Sequence, residues 1–354
     1  MKWIASFVYL LLIPSLYGAP LETSEEWDEN SDPEIMSYYF KRNFYQLPLK
    51  GIVKEKNKYW SADYWPLNKG NINYRWYAKK NKTGFNLKSP DLSTIRKMTI
   101  PQLAELSPSE KYDLFTGRYD YPLKKEVEAK SSNPRAQIWE GICHGWAPAT
   151  MNHPEPHPKL MKNPDGIEIP FGSSDIKALL SYYYANGFLI PDTFQMGRRC
   201  FRGRWINRDR ECNQDLNAGA FHIVLANRLG IDGIGVIGDL NRYTQVSNKP
   251  IISFQSSVLR KSAAGSRSAP GTTEVIRLRT TVNYVKDKGH DWRPVLGTSK
   301  QYYKQDIYEY ELELNNQGII IGGEWISSDR PDFLWTIPKQ LVFTGLFSRL
   351  PELL

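Results

Sequence analysis

Between residues 272 and 325 the chain alternates. In TTEVIRLRTTVNYV (272–285) apolar residues recur at every second position with charged or polar residues between them, the period of a strand with one buried and one wet face. DIYEYELELNNQGIIIGGEW (306–325) reads as two more strands around an Asn-Asn-Gln-Gly turn. A sheet that is wet on one face is antiparallel. Two short apolar runs precede these strands, FHIVLANRLG from Phe221 and GIGVIGD up to Asp239, and both read as strands as well.

The first half has a different texture. LSPSEKYDLFTG (106–117) places Ser107 as a cap, Pro108 at the first helical position and Gly117 past the last turn, which predicts a short helix. SSDIKALLSYYYANG (173–187) predicts another, started by Asp175 or Ser174 and ended by Gly187, with apolar residues at Ile176, Leu179, Leu180 and Tyr183. A helix-rich half followed by a strand-rich half indicates an α+β fold. The aromatic stretch 58–80 has turn signals at Pro66 and Gly70. It reads as loops and short strands that bury their rings, with a carbohydrate-stacking platform as the alternative.

The N-terminus sets the compartment. An apolar run from Trp3 to Tyr17 follows Met1 and Lys2 and is too short to span a bilayer, so residues 1–19 read as a secretory signal peptide and the protein as secreted. Residues 20–50 read as an acidic leader or pro-segment, and 51–354 as the catalytic domain. The stretch Pro20 to Glu34 carries seven acidic and no basic residues. Setting it and Lys2 aside raises the formal charge of the rest from +8 to +14. That basic body could associate with an anionic wall or cell surface, but no nucleic-acid motif and no membrane span is present.

Three cysteines in an oxidising compartment leave one thiol over. Cys200 and Cys212 bracket a polar loop and are expected to pair, so Cys143 in QIWEGICHGWAPA (137–149) needs a reason to stay free. Two glycines flank it, and CHGWA can begin a helix whose unpaired amide groups would face the sulfur. Adjacent His144 cannot face Cys143 on a helix. HPEPHP (153–158) offers His153, Glu155 and His157 in a proline-locked spacing that suits no helical or finger-type metal site. His222, at the start of its apolar strand, is the candidate base, Asp239 the residue that would orient it, and Glu324 the runner-up third member. Gln137 and the Cys143 N–H are the candidate oxyanion donors, and Trp139 or Trp146 could wall the site.

These residues carry a resemblance. WEGICHGWAPA, IPFGSSDIKALLSYY, CNQDLNAGAFHIVLANRLG and VSNKPI, with YWSADYWPLNKGNINYRW, LSPSEKYDL and GGEW to RPDFLW around them, resemble the transglutaminase elicitor family of oomycete plant pathogens and bacterial relatives. The resemblance implies calcium-dependent protein-glutamine γ-glutamyltransferase activity on protein glutamine and lysine side chains. It also implies an α+β fold with a catalytic geometry similar to that of cysteine proteases. Cys143 falls on the family's nucleophile, His222 on its histidine and Asp239 on the following acidic residue. QVSNKPIISF (245–254) is similar to the surface peptide that plants recognise, with Ser247 where those members carry tryptophan. For calcium, Asp209, Glu211, Asn213, Asp215 and Asn217 offer oxygens at alternate positions; the same stretch also reads as a polar loop tied by a disulfide. The alternatives in function are a papain-like cysteine protease or amidase with the same triad, and a wall- or glycan-binding elicitor module.

Overall fold

The computed structural model describes residues 27–80, 83–187, 193–199, 216–337 and 341–354. Seven α-helices are formed among them: α1 Leu92–Ile95, α2 Ile100–Ala104, α3 Pro108–Phe115, α4 Pro122–Lys130, α5 Cys143–Asn152, α6 Ser173–Tyr182 and α7 Ala218–Leu225. The strands are β1 Lys50–Ile52, β2 Lys159–Lys162, β3 Glu168–Phe171, β4 Phe194–Met196, β5 Val236–Asp239, β6 Asn248–Ala263, β7 Glu274–Val285, β8 Tyr303–Leu314, β9 Ile320–Trp325 and β10 Phe333–Thr336. Eight strands join in one sheet in the order β4-β10-β5-β6-β7-β8-β9, with β1 paired to β6, while β2 and β3 pair separately. Every described pairing is antiparallel. The chain is thus a mixed α and antiparallel β protein, as the alternation requires: along β7, Ile276, Leu278, Thr280, Val282 and Tyr284 are buried while Arg277 and Arg279 reach outward to Glu311 and Glu309.

The capping signals read in α3 are met. Ser107 Oγ accepts the Glu110 N–H, Glu110 reaches back to the Ser107 N–H at 3.1 Å, and Gly117 follows with φ +75°. Helix α6 begins one residue earlier than expected. Gly172 is its N-cap, and Asp175 sits in the first turn, where its carboxylate accepts the Gly172 N–H at 2.7 Å and pairs with buried Lys111. The hairpin of β8 and β9 turns through Gly318 at φ +76°, as the Asn-Asn-Gln-Gly stretch predicts.

One strand expectation is wrong. FHIVLANRLG is helix α7, continued by a π-helical segment Ala226–Asp232. Asn217 caps it by accepting the Gly219 N–H at 2.8 Å and the Ala220 N–H at 3.4 Å. All eight residues of α7 are buried, so no polar stripe marks its helical period, and a short apolar run of this kind cannot be told from a buried strand by pattern. The domain boundary drawn between 50 and 51 falls inside β1. Before it, Phe44 and Leu47 are core residues, and the Phe44 N–H donates to the Gly318 carbonyl at 2.9 Å. The stretch 58–80 forms two 3-10 turns and no strand, and buries Trp60 and Trp65 completely rather than displaying them.

Two main apolar clusters form. One joins the helices of the first half; the other lies between α7 and the sheet. A third, small cluster of Ala147, Ile237, Phe333 and Trp335 joins α5 to β5 and β10. Helix α5 can approach α6 closely because of Gly145, where an added Cβ would lie 2.0 Å from the Ser181 carbonyl oxygen and 2.7 Å from Ala185 Cβ. Gly145→Ala is expected to cost roughly 3 kcal/mol, read as a lower midpoint in chemical denaturation. Gly265→Ala, which meets nothing within 4 Å, should stay within about 0.5 kcal/mol of the parent.

Candidate functional site

Cys143 is the first residue of α5. The residue before it, Ile142, is no side-chain cap, and the Ile142 carbonyl accepts the Gly145 and Trp146 N–H groups at 2.9 and 3.0 Å. The sulfur therefore stands at the positive end of a ten-residue helix. Gly141 lets the chain reach that point, since a Cβ there would lie 2.4 Å from the Tyr64 carbonyl oxygen. The Ile142 N–H then donates to that same carbonyl at 2.7 Å.

The half-buried thiol opens into a cavity of about 570 Å³, lined by strand residues Asp239, Lys249, Tyr284 and Asp306 and by the loops that follow β5 and β7, including Ser247 and Asp287. Tyr64, Ile138 and Trp139, from the segments before α5, also line it. Asn248 donates through Nδ2 to Cys143 Sγ at 3.5 Å, and Trp335 Nε1 donates to Asn248 Oδ1 at 2.7 Å. Asn248 is directly opposite Asp239 across the β5–β6 pair, so their side chains share a face at neighbouring positions. Lys249 completes this edge, donating to Ser247 Oγ and pairing with Asp287 at 3.3 Å.

Asp239 is the strongly perturbed acid of the cavity. Burial, reinforced by the negative charge of Asp332, pushes its carboxyl up to about 7; the Ser247 N–H, Arg199 and Lys249 oppose the rise. Its Oδ1 accepts the Ser247 N–H at 3.3 Å, and its Oδ2 is buried without a hydrogen-bond partner. A carboxyl group that titrates near neutrality in the same cavity as a thiol is a candidate to exchange protons with it.

The structure brings Cys143 and Asp239 to one cavity and leaves the other expected members outside it. His222 is a core residue of α7, not a strand residue. It is fully buried against Phe44 and Phe254, with Nδ1 at 2.8 Å from Tyr310 Oη, and burial lowers its pKa to about 3. Phe254 lies six positions along β6 from Asn248, which touches the sulfur, a separation of about 20 Å on an extended strand. Glu324 is exposed on β9 opposite Glu311. Gln137 is exposed in the turn before Cys143, where its N–H donates to Glu140, and its neighbours Ile138 and Trp139 line the cavity instead. Trp146 is fully buried, with its indole N–H on the Trp60 carbonyl. Glu155 is no metal ligand: it holds Lys177 and the N–H groups of Val295 and Leu296.

Cys200, Cys212, Asp209, Glu211, Asn213 and Asp215 lie outside the described residues. Asn217 spends its carboxamide oxygen on the α7 cap and its Nδ2 on the Gly323 carbonyl, so it is not set out as a calcium ligand. No group of three or more His, Cys, Asp or Glu side chains fit to hold a metal occurs among the described residues. Nor is any helix among them long and apolar enough to cross a membrane. The sequence reading missed Asn248, Trp335 and Lys249. The only signals for them were the VSNKPI segment, which holds Asn248 and Lys249, and RPDFLW, which ends in Trp335, and neither carried chemistry by residue type alone.

A family model described as "Transglutaminase elicitor" matches residues 35–342. Among solved structures the chain is similar to the GP42 transglutaminase from Phytophthora sojae, with a TM-score of 0.67 and 20% sequence identity over 92% of this chain and 97% of that one. No curated protein matches.

Two measurements check this geometry. The raised folded-state pKa of Asp239 contributes stability that is fully present below the unfolded value of about 4 and lost as pH rises through about 7. Asp239→Asn should therefore be more stable than the parent by roughly 2–4 kcal/mol at pH 8 and equal to it near pH 4; a gain independent of pH would contradict the assignment. His222→Asn should leave the iodoacetamide alkylation rate of Cys143 within about two-fold of the parent at temperatures where the variant is folded.

Proposed function

We propose, since the chain belongs to the transglutaminase elicitor family, that it is a protein-glutamine γ-glutamyltransferase whose nucleophile is Cys143. The observation that carries this reading is the joining of three features at one cavity: a thiol at a helix N-terminus, a buried carboxyl titrating near neutrality, and an amide donor in contact with the sulfur.

The chemistry follows from these groups. The Cys143 thiol passes its proton to ionised Asp239, and the thiolate attacks the carboxamide carbon of a protein glutamine. The N–H groups of the first turn of α5 face the oxygen on which negative charge develops. Collapse of the adduct breaks the carbon–nitrogen bond, Asp239 returns the proton to the departing nitrogen, and ammonia leaves a thioester. A lysine amine then attacks the thioester, the thiolate departs, and the proton that the amine loses restores the resting pair. The product is an isopeptide bond. Trp139 and Tyr64 line the cavity that the thiol opens into, where they limit the access of water that would turn transfer into hydrolysis.

Calcium, which the family resemblance implies, finds no fitting set of ligands among the described residues, and no step is routed through it. Secretion rests on the apolar run within residues 1–19, which lies outside the described residues. The described part of the acidic leader contributes no residue to the cavity lining.

The test is incorporation of a fluorescent primary amine into a glutamine-rich protein, with and without calcium. Cys143→Ala should abolish it. Asp239→Asn should lower kcat by about 100-fold or more, and the parent rate should fall as pH drops through about 7, where Asp239 takes up its proton. Glutamine hydrolysis without amine incorporation would replace transfer by an amidase reading.

A further inference from the structure

The contact between Asn248 and Cys143 has a defined polarity. A carboxamide can turn either its oxygen or its NH2 toward a neighbour, and the two are nearly isosteric. Here the choice is made by the indole of Trp335, whose Nε1–H can only donate. It is buried, and a buried N–H requires an acceptor. Asn248 Oδ1 supplies that acceptor at 2.7 Å, so Nδ2 is turned toward Cys143 Sγ at 3.5 Å. Both Asn248 and Trp335 are about 6% exposed, and the backbone at each is held by strand pairing. Asn248 lies opposite Asp239, while Trp335 pairs with Ile237 on one side and Gln195 on the other. Trp335 also shares a small apolar cluster with Ala147 of α5, so the group that orients the amide belongs to the packing that joins the sheet to the helix that carries the thiol.

We propose that Asn248 is a further catalytic residue, which donates a hydrogen bond to the Cys143 thiolate before attack and again when sulfur departs, and that Trp335 is the positioning residue that keeps the amide facing the sulfur. The proposal rests on the transferase reading for its place in the reaction, but the donor contact with sulfur stands apart from it. A purely structural role for Asn248 accounts for the Trp335 bond and leaves the contact with Sγ without a function. Reversing the amide would place a carbonyl oxygen against the sulfur and oppose negative charge there.

The experiment compares the parent with Asn248→Ala, Asn248→Asp and Trp335→Phe. It measures alkylation of Cys143 by iodoacetamide at neutral pH, amine incorporation as separate kcat and KM, and thermal melting. Asn248→Ala should slow alkylation by about ten-fold or more, the loss of one hydrogen bond to a charged group. Asn248→Asp, similar in shape but unable to donate when ionised, should slow it by at least about 100-fold. Trp335→Phe keeps the apolar ring and frees the amide, so it should fall between the parent and Asn248→Ala. In each variant kcat should drop with KM within about two-fold, since the lost bond acts on sulfur rather than on bound substrate.

Alkylation at the parent rate in folded Asn248→Asp would overturn the proposal. Equal rates in Trp335→Phe and the parent would remove Trp335 from the positioning role. If Asn248→Ala fails to fold, Trp335→Phe and Asn248→Asp still decide the matter. Failure of the parent to incorporate amine would overturn the transferase reading and leave the alkylation comparison intact, because alkylation reads the sulfur alone.

Discussion

Two close backbone approaches flank Cys143, and neither leaves room for a Cβ. Gly141 lies against the Tyr64 carbonyl, and Gly145 lies against the Ser181 carbonyl of α6. The first brings the chain over the segment before α5, and the second seats α5 so deeply on α6 that its next turn, at Ala147, reaches the apolar residues of β5 and β10. The remaining geometry of the cavity depends on that seat. If α5 were displaced by the diameter of a methyl group, Cys143 would lose the strand ends at Asp239 and Asn248, which contribute the carboxyl and the amide. Interiors this dense transmit such a shift rather than absorb it.

The two halves of the chain contribute unlike things. The helical half supplies the thiol and the positive end of a helix dipole, held by buried ion pairs such as Lys111–Asp175 and Lys177–Glu155 on α6. The sheet supplies rigid partners, placed by register: Asp239 opposite Asn248, and Phe333 opposite Asp239. Site groups carried on strands and helices are held more closely than groups on loops. The cost is a carboxyl buried beside a second carboxyl, which is why Asp239 is protonated so readily. Stability given up at such a position is a common companion of function.

Much of this was legible in the residues, and the failures have physical causes. The alternation of β7 and β8 shows because those strands have one wet face, and the Ser107, Pro108 and Gly117 signals of α3 show because caps are marked by residue type even on a helix whose eight residues are all buried. Helix α7 is buried all round, so its period is hidden, and its reading as a strand carried His222 into a partnership with Cys143 that the core does not permit. Cys143 was found by counting thiols, and its α5 setting followed from the glycines. Asp239 was selected to orient a histidine and instead lines the same cavity as the thiol. Asn248 and Trp335 could not be read at all, because an amide and an indole acquire a role only through the register that joins β5, β6 and β10.

The central claim, that Cys143 forms a covalent acyl intermediate, is most directly tested by mass spectrometry of the protein quenched with acid during turnover of a glutamine peptide without added amine. The expected result is an adduct on the peptide containing Cys143, with the mass of the substrate less ammonia, that disappears when a primary amine is added before the quench. Turnover with no adduct on Cys143, or an adduct carried by another residue, would contradict the assignment.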